Sequence, residues 1–332
     1  MSAEFRCLIV DRDAGDHIVR RLEQRSRADL PSGDVLIRVH YSSLNYKDAM
    51  AATGNPAIAR TLPHVPGIDA AGTVLESDDA CYVPGQPVIA TGHEIGVERW
   101  GGWSELLRVP ADWLVPLPSG LTLQEAMILG TAGFTAAQCV RALQRQGVRP
   151  ESGPVVVSGA TGGVGSIAVL LLARLGYDVT AVTGKQAQHD WLRTLGAAQV
   201  AGRELLTDVP KRPLLSAKFA GGIDTVGGNV LTAMCKIMQH RGCVACCGVT
   251  GGETLALTVY PFILRGLTLA GIDSAWCPDD QRADIWRQLA GDWKPKQLSS
   301  LCRLVSLNCL EPEIESILAG KNVGRVVVDL EA

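Results

Sequence analysis

The chain is poor in aromatic residues and carries no excess of either charge. Only four Phe and five Tyr occur among its 332 residues, which argues against a large pocket lined by aromatic rings. Its 31 basic and 34 acidic residues leave a formal net charge of -3. Because binding to a phosphate backbone or to anionic headgroups needs a basic surface, we expect neither nucleic acid nor a membrane as a partner.

The sequence also has no long apolar run and no pattern typical of a signal peptide in its first residues. No segment approaches the roughly 20 apolar residues that span a bilayer. The longest run, IAVLLLA at 167–173, has the length of a core helix segment. The first residues, MSAEFRCLIVDRD, reach charged residues after a short apolar run, unlike a signal peptide. We therefore expect a cytoplasmic protein.

Ten cysteines are present, and in a chain without a secretion signal they favour buried reduced thiols over a disulfide framework. The cluster GCVACCG at 242–248 alternates with Val and Ala between glycines, as a buried strand does. No second Cys pair or His pair lies at zinc spacing from it. We interpret the cluster as a strand rather than a metal motif.

Length and an apolar content of 47 % predict two domains with separate cores. The first part contains short alternating segments such as DVLIRVHYSSLN (34–45), which predict a barrel-like or sandwich β domain. Strands then alternate with helices, as in a parallel sheet, and the last strand is expected to return to the first domain. The predicted boundaries are 1–122 with 292–332 for the first domain and 123–291 for the second.

A helix is predicted where the second domain begins. Ser119 or Thr122 could cap it, with Gln124 or Glu125 in its first turn, as in a capping box. The glycines within 130–133 are expected to interrupt this helix before a second helical segment follows.

The strongest local motif is GATGGVG at 159–165, which follows three valines and opens a helix. Ala160 takes the place of the first glycine of a dinucleotide fingerprint. Gly162 would let the backbone approach a pyrophosphate, and Gly165 would let the helix pack closely on the strand. Because a helix N-terminus offers free N–H groups and a positive dipole end, the motif predicts dinucleotide binding. A tight turn without a ligand is the alternative.

The end of the next strand indicates which dinucleotide is bound. A NAD site usually has Asp or Glu there, to hold the ribose 2′-hydroxyl. Here DVTAV (178–182) is followed by Thr183, Gly184 and Lys185, and Arg203 follows the next short strand. A hydroxyl and cations can accept a 2′-phosphate that a carboxylate would repel, so NADPH is the predicted cofactor. The alternative for Lys185 and Arg203 is a solvated surface charge.

Eight segments in order carry a resemblance to a known family: SSLNYKDAM (42–50), PHVPGIDAAGTV (63–74), WGGWSE (100–105), MILGTAGFTA (127–136), VVVSGATGGVGS (155–166), GIDTVGG (222–228), PFILRGLTLAGIDS (261–274) and GRVVV (324–328). Together they resemble the medium-chain dehydrogenase/reductase superfamily. Within it, the chain is similar to the zinc-free quinone-oxidoreductase branch and to its bacterial NADPH-dependent acryloyl-CoA reductases. This resemblance implies an α/β fold with a GroES-like β-barrel-type catalytic domain, a Rossmann domain with a doubly wound parallel sheet, and a homodimer.

The same resemblance implies that no metal is bound. A catalytic zinc in this superfamily needs a Cys, a His-Glu pair and a later Cys or Asp. This chain has Asn45 where the Cys would stand and Ile68 where the His would stand, and isoleucine cannot ligate a metal. Gly92-His93-Glu94 does contain the pair, but it lies about 25 residues too late and has no Cys nearby. We interpret His93 and Glu94 as loop residues beside the cleft, with a contact to the substrate as the alternative.

Without a Lewis acid, reduction of an already polarised double bond remains accessible. Hydride from a nicotinamide attacks Cβ of an enoyl thioester or enone, and the protein supplies hydrogen-bond donors to the oxygen and a proton to Cα. Tyr46 could donate the proton or a hydrogen bond, or pack against the nicotinamide as a wall. Asn45 could fix the substrate or the ribose, and Asp48 could hold their loop.

The resemblance also implies a set of cofactor contacts, of which Thr131 is expected to face the nicotinamide. The full set is Tyr46, Thr131, Thr161, Gly162, Gly163, Val164, Thr183, Gly184, Lys185, Arg203, Val249, Ile263, Ser274 and Arg325. The leading hypothesis is NADPH-dependent reduction of a short 2-enoyl-CoA, such as acryloyl-CoA to propanoyl-CoA. A quinone or enone reductase is the alternative of the same class, and a non-catalytic NADPH-binding sensor or structural protein is the alternative of another class.

Overall fold

The computed structural model describes residues 4–332, which form two compact units. The first unit contains the described residues through Thr131 together with Ala275–Gly291 and Leu298–Ala332. The second unit contains Ala132–Ser274 and Asp292–Gln297. The chain therefore enters the second unit twice and returns each time, so both ends of the described chain belong to the first unit.

The first unit is built on a seven-stranded sheet and a separate two-stranded antiparallel hairpin. The elements of this unit are β1 (Glu4–Arg12), β2 (Ile18–Ser26), β3 (Val35–Leu44), α1 (Tyr46–Ala52), β4 (Asp69–Ser77), β5 (Pro87–Thr91), β6 (Leu106–Val109), β7 (Leu114–Pro116), the start of α2 (Leu123–Arg145), α8 (Asp279–Ala290), β14 (Cys302–Ser306), α9 (Leu310–Leu318) and β15 (Arg325–Asp329). The order in the large sheet is β14-β15-β3-β4-β5-β7, with β6 paired to β3. The final strand, β15, pairs antiparallel with β3.

The second unit is a six-stranded parallel sheet in the order β10-β9-β8-β11-β12-β13. This is the Rossmann order, in which the chain starts in the middle and winds outward in both directions. All three valines of β8 are fully buried, as expected for a central strand covered on both faces. Its elements are the rest of α2, β8 (Val155–Val157), α3 (Gly163–Arg174), β9 (Val179–Val182), α4 (His189–Thr194), β10 (Gln199–Ala201), α5 (Glu204–Thr207), β11 (Phe219–Asp224), α6 (Gly228–Ile237), β12 (Met238–Cys246), α7 (Tyr260–Arg265) and β13 (Thr268–Gly271).

The first division lies at 131/132, where 122/123 was predicted. The predicted division at 291/292 is present, but two further divisions lie at 274/275 and 297/298. The start of α2 stays with the first unit because the Arg325 guanidinium donates to the Ile128 carbonyl at 2.9 Å. Helix α8 stays there because Arg282 donates to the Thr91 carbonyl at 3.0 Å. These contacts join residues that are far apart in sequence, and the sequence pattern carries no trace of them.

Helix α2 begins as predicted and contains the predicted interruption. Thr122 and Glu125 form the capping box, with Thr122 N–H donating to Glu125 Oε2 and Glu125 N–H donating to Thr122 Oγ1. Gly130 has φ 50° and ψ -157°, so the helical path breaks there. By length and composition α2 could cross a membrane, which the sequence analysis did not expect. Since 78 % of its apolar window is buried within the structure, we describe it as a core helix.

Candidate active site

The Gly-rich turn lies in the second unit, between the end of β8 and the start of α3. Gly162 caps α3 with an extended backbone, and Gly163 and Val164 begin the helix. A Cβ on Gly165 would lie 2.3 Å from the carbonyl oxygen of Gly159, so only glycine lets α3 pack this closely on the turn. The N–H groups of the first turn of α3 have no acceptor within the helix, so they are placed to donate hydrogen bonds to phosphate oxygens.

Thr183 follows β9 and is joined to the Gly-rich turn. The hydroxyl oxygens of Thr161 and Thr183 are 3.2 Å apart, and the Lys185 N–H donates to the Thr183 hydroxyl at 3.1 Å. Both threonine side chains are buried. The turn after β8 and the turn after β9 are thus held together by side-chain hydrogen bonding.

Two cations stand at this second turn. The Arg203 side chain lies against Gly184, where an added Cβ would meet the guanidinium Nε at 2.3 Å. Burial lowers the pKa of Lys185, and the positive charge of Arg203 lowers it further. Because like charges repel, two neighbouring cations form a natural binding site for an anion. The structure therefore brings together Thr161, Thr183, Gly184, Lys185 and Arg203.

Val249, Ile263 and Ser274 lie further along the second unit. Val249 follows β12 and Ser274 follows β13, so both stand at the carboxyl edge of the parallel sheet, where ligands bind in open sheets. Ile263 is on α7. The side chains of Val249 and Ile263 are largely exposed, at 57 % and 68 %. The assignment of these three residues to the cofactor remains a prediction.

A buried pair beside the Gly-rich turn, Asp224 and Ser158, was not predicted from the sequence. Asp224, the last residue of β11, accepts hydrogen bonds from the Ser158 hydroxyl at 2.7 Å and from the Gly227 N–H at 2.7 Å. Burial raises the pKa of Asp224, and these hydrogen bonds oppose the rise. The Asp in GIDTVGG was the available signal, but only the fold shows that it connects β11 to the residue that precedes Gly159.

The first unit contains a buried polar network centred on Asp69, the first residue of β4. The Thr131 N–H lies 3.0 Å from each carboxylate oxygen, and the Thr131 hydroxyl donates at 2.6 Å. The Ser43 hydroxyl donates at 2.5 Å and the Asn45 amide at 2.9 Å. Since Asp69 is completely buried, these bonds replace its hydration and fix Thr131 beside β4.

Asn45 links this carboxylate to a buried cation. Its Oδ1 accepts a hydrogen bond from Arg325 Nη1 at 3.0 Å, while its Nδ2 donates to Asp69. Arg325 Nη2 lies 4.0 Å from the same carboxylate. Burial lowers the pKa of Arg325, and the charges of Asp69 and Asp48 oppose this shift. Both ends of the Asn45 amide are therefore engaged inside the unit.

Asp48 ties helix α1 to the segment before β4. It is completely buried, and it accepts hydrogen bonds from the Asn45 N–H at 2.7 Å and from the Ile68 N–H at 2.8 Å. Burial, followed by the charge of Asp69, raises the pKa of Asp48 to about 7. The carboxyl group that sequence reasoning assigned to holding the loop therefore changes its charge near neutral pH.

Tyr46 is the first residue of α1 and is 40 % exposed. Its hydroxyl makes no hydrogen bond within residues 4–332. It adjoins Asn45 in the chain, and α1 is held by the bonds to Asp48. A phenol on a fixed helix start, with its hydroxyl unengaged inside the protein, can donate to a ligand.

The positions that would hold zinc do not fit the metal. Asn45 is committed to Arg325 and Asp69, and Ile68 is a buried hydrocarbon. In the described part of the chain, no group of three or more His, Cys, Asp or Glu residues is arranged to hold a metal ion. Zinc needs three or four such ligands, so this donor set is unsuitable.

His93, from the apparent Gly-His-Glu motif, packs against tryptophan side chains. Its ring stacks on Trp113 with centroids 5.0 Å apart and meets the edge of Trp276 at 6.1 Å. Its backbone N–H donates to the Ala275 carbonyl at 3.0 Å. Burial lowers the pKa of His93, and the charge of Arg282 lowers it further. His93 therefore lies in a loop, as predicted, and its ring packs against two aromatic rings.

The two units define a class: a dinucleotide-dependent dehydrogenase with one β-rich unit and one Rossmann unit. Residues 31–119 match the family model of the alcohol dehydrogenase GroES-like domain. Residues 163–289 match the model described as zinc-binding dehydrogenase. The chain belongs to the medium-chain dehydrogenase/reductase superfamily, and the predicted fold class is confirmed.

Two curated relatives match almost the whole chain. The putative quinone oxidoreductase YhfP of Bacillus subtilis is 47 % identical over 331 residues, which is 99 % of this chain and 100 % of the relative. The acrylyl-CoA reductase AcuI of Ruegeria pomeroyi is 45 % identical over 329 residues, again 99 % and 100 % of the two chains. The two names correspond to the two enzymatic hypotheses drawn from the sequence.

Two solved structures share the fold of this chain with the same TM-score. The YhdH oxidoreductase of Salmonella enterica in complex with NADP has a TM-score of 0.95 at 44 % identity, covering 98 % of this chain and 99 % of that one. The YhfP protein of Bacillus subtilis with NAD bound has a TM-score of 0.95 at 47 % identity, covering 99 % and 100 %. Both dinucleotides therefore occur in crystals of similar proteins.

Proposed function

We propose that this chain is an NADPH-dependent reductase that reduces the C=C bond of a short 2-enoyl-CoA, of the acryloyl-CoA to propanoyl-CoA type. The observation that carries the proposal is the pair of cations, Lys185 and Arg203, at the turn after β9. A NAD-specific site has a carboxylate there, which would repel a 2′-phosphate. The 45 % identity to the acrylyl-CoA reductase of Ruegeria pomeroyi supports the substrate class.

The Rossmann unit provides the groups that would hold the cofactor. We propose that the turn from Thr161 to Val164 binds the pyrophosphate and that Thr183, Lys185 and Arg203 bind the 2′-phosphate. For the nicotinamide half we retain the contacts proposed from the family resemblance, which are Tyr46, Thr131, Val249, Ile263, Ser274 and Arg325.

When bound, NADPH supplies a hydride to Cβ of the enoyl thioester, whose carbonyl oxygen takes up negative charge. The protein must then donate a hydrogen bond to that oxygen and a proton to Cα. We assign the proton to the Tyr46 hydroxyl, which is exposed and unengaged within residues 4–332. Asn45 is a positioning residue, since its amide is bonded to Asp69 and Arg325 and its N–H to Asp48.

A quinone or enone reductase is the second candidate, because a relative at 47 % identity carries the name putative quinone oxidoreductase. A panel of NADPH-oxidation assays separates the two, with acryloyl-CoA, crotonyl-CoA and a quinone as substrates and a chelator in a parallel series. We expect the highest kcat/KM with an enoyl-CoA and no effect of the chelator. Preference for the quinone would select the second candidate, and NADPH binding without oxidation of any substrate would indicate a non-catalytic protein.

Tyr46→Phe in the same panel tests the proton donor. If the hydroxyl acts, kcat should fall by about 10²-fold or more. A deuterium isotope effect with labelled NADPH will show whether hydride transfer limits the rate. If it does and kcat is unchanged, Tyr46 only packs against the ligand and does not donate the proton.

We further propose a cytoplasmic homodimer. Strand β13 is an edge strand of the Rossmann sheet, and the preceding α7 segment exposes Val259, Tyr260 and Leu264 at 64 %, 45 % and 55 %. An edge strand flanked by exposed apolar side chains is a surface that a second copy can cover. The cytoplasmic location is supported by ten cysteines that are all free thiols.

A further inference from the structure

The residues that directly follow β8 and β11, Ser158 and Thr225, exchange two hydrogen bonds. The Thr225 N–H donates to the Ser158 hydroxyl oxygen at 3.0 Å, and the Thr225 hydroxyl donates to the Ser158 carbonyl at 2.9 Å. The Ser158 hydroxyl in turn donates to the buried carboxylate of Asp224 at 2.7 Å. Both hydroxyl groups are therefore engaged inside the second unit, at the carboxyl edge of its sheet.

The Ser158 carbonyl stands directly before the Gly-rich turn. Gly159 has a positive φ of 57°, and an added Cβ there would lie 2.3 Å from the Thr225 hydroxyl oxygen. The Gly159 carbonyl accepts a hydrogen bond from the Gly162 N–H at 2.9 Å, which closes the turn where α3 begins. Because Ser158 and Gly159 share one planar peptide group, the bond from Thr225 fixes the orientation in which the turn starts.

The backbone of Thr225 also packs against the loop after β12, residues 247–252. An added Cβ on Gly248 would lie 1.9 Å from the Thr225 carbonyl carbon, so the two backbones are in tight contact. The Gly251 N–H donates to the Val226 carbonyl at 2.7 Å and holds the loop in place. Since this loop leaves the Thr225 backbone no room to move, its hydroxyl is a fixed donor for the Gly-rich turn.

We propose that Thr225 is a positioning residue for dinucleotide binding, and that its hydroxyl acts through Ser158 to hold the Gly-rich turn in the form that receives the pyrophosphate. This role rests on the proposed function, in which the turn from Thr161 to Val164 binds the pyrophosphate. N–H groups that are already aimed at one place bind a phosphate at a lower entropic cost. Because NADPH and NADH share the pyrophosphate, loss of the hydroxyl weakens the binding of both.

Thr225→Val removes the hydroxyl and keeps the shape of the side chain. The Kd values of NADPH and NADH, measured by fluorescence titration, should both rise about fivefold to tenfold, the effect of losing one partly buried hydrogen bond. A ligand with a 2′-phosphate and no pyrophosphate, 2′-AMP, should bind with an unchanged Kd in calorimetric titration. Thr225→Ser keeps the hydroxyl and should retain the wild-type Kd for all three ligands.

Thr232→Val is the matched control in the same unit. Thr232 is buried on α6, and its hydroxyl donates to the Gly228 carbonyl at 3.1 Å rather than to the Gly-rich turn. The control therefore loses the same kind of hydrogen bond, and its free energy of unfolding should fall by a similar amount. Both dinucleotides should nevertheless bind to it with the wild-type Kd.

Hydrogen exchange of the free protein measures the turn without any ligand. The Gly162 amide, which donates to the Gly159 carbonyl, should exchange about fivefold faster in Thr225→Val and at the wild-type rate in Thr232→Val. Unchanged Kd values for the dinucleotides in Thr225→Val, or an equal loss for 2′-AMP, would overturn the proposal. If the wild type binds neither dinucleotide, the proposed function fails. Hydrogen exchange then still decides the role of Thr225, because an unchanged rate would show that it does not hold the turn.

Discussion

At the scale of single residues, the proposed specificity for NADPH depends on Lys185 and Arg203. Lys185→Ala removes one of the two charges facing the proposed 2′-phosphate, so the Kd for NADPH should rise tenfold or more, which is about 1.4 kcal/mol, while the Kd for NADH should hardly change. Fluorescence titration with both nucleotides measures this. Lys211→Ala, at an exposed lysine of the same unit, is the matched control. Equal weakening of NADPH and NADH binding would contradict the assignment.

Asp48 is the residue that should make stability depend on pH near neutrality. Its pKa is raised from 3.8 to about 7 in the folded chain. Between these values the folded state holds a proton that the unfolded state has lost, so the free energy of unfolding should fall as the pH rises from about 4 to about 7. The full loss is roughly 4 kcal/mol, at about 1.4 kcal/mol for each unit between the two pKa values, and it is present above the folded pKa.

Asp48→Asn removes this titration, so the variant should lose less stability than the wild type between pH 5 and pH 8. Guanidinium unfolding at several pH values in this range measures the difference. Asp280→Asn, at an exposed carboxylate, serves as the control and should retain the wild-type pH dependence. Parallel curves for Asp48→Asn and the wild type would show that Asp48 does not titrate in this window.

At the scale of secondary-structure elements, Gly130 is the point on which the course of α2 depends. An added Cβ there would lie 2.5 Å from Asp69 Oδ2 and 3.0 Å from Arg325 Nη2, and its φ of 50° disfavours side chains. Because Asp69 is held by several hydrogen bonds, it cannot move aside. Gly130→Ala should therefore lower the free energy of unfolding by about 3 kcal/mol, from strain and crowding together.

The matched control for this element is Gly85→Ala. Gly85 also has a positive φ, of 87°, but an added Cβ there would meet nothing within 4 Å. It should cost only the backbone strain, about 1 kcal/mol. Thermal and guanidinium unfolding of both variants separates crowding from strain. Equal losses would mean that the Asp69 network yields to a methyl group, and that Gly130 is required for its φ alone.

The elements also show which features the sequence could predict. The Gly-rich turn, the Thr122 cap and the break at Gly130 were predictable because each depends on neighbouring residues. The Asp69 network was not, because Asn45, Thr131 and Arg325 reach it from three distant segments. Sequence reasoning therefore placed Asn45 and Arg325 in the site by resemblance, and only the fold shows that they bond to each other.

At the scale of the whole molecule, the edge strand β13 and the exposed α7 face predict the assembly state. Leu264→Asp places a charge on the apolar face, so a dimer should dissociate. Light scattering coupled to size-exclusion chromatography should then change from about twice the chain mass of 35.2 kDa to that mass itself. Val83→Asp, at a 59 % exposed valine in the first unit, should leave the dimer intact. A wild-type protein that already elutes as a monomer would contradict the homodimer, and a dimer insensitive to Leu264→Asp would place the interface on another surface.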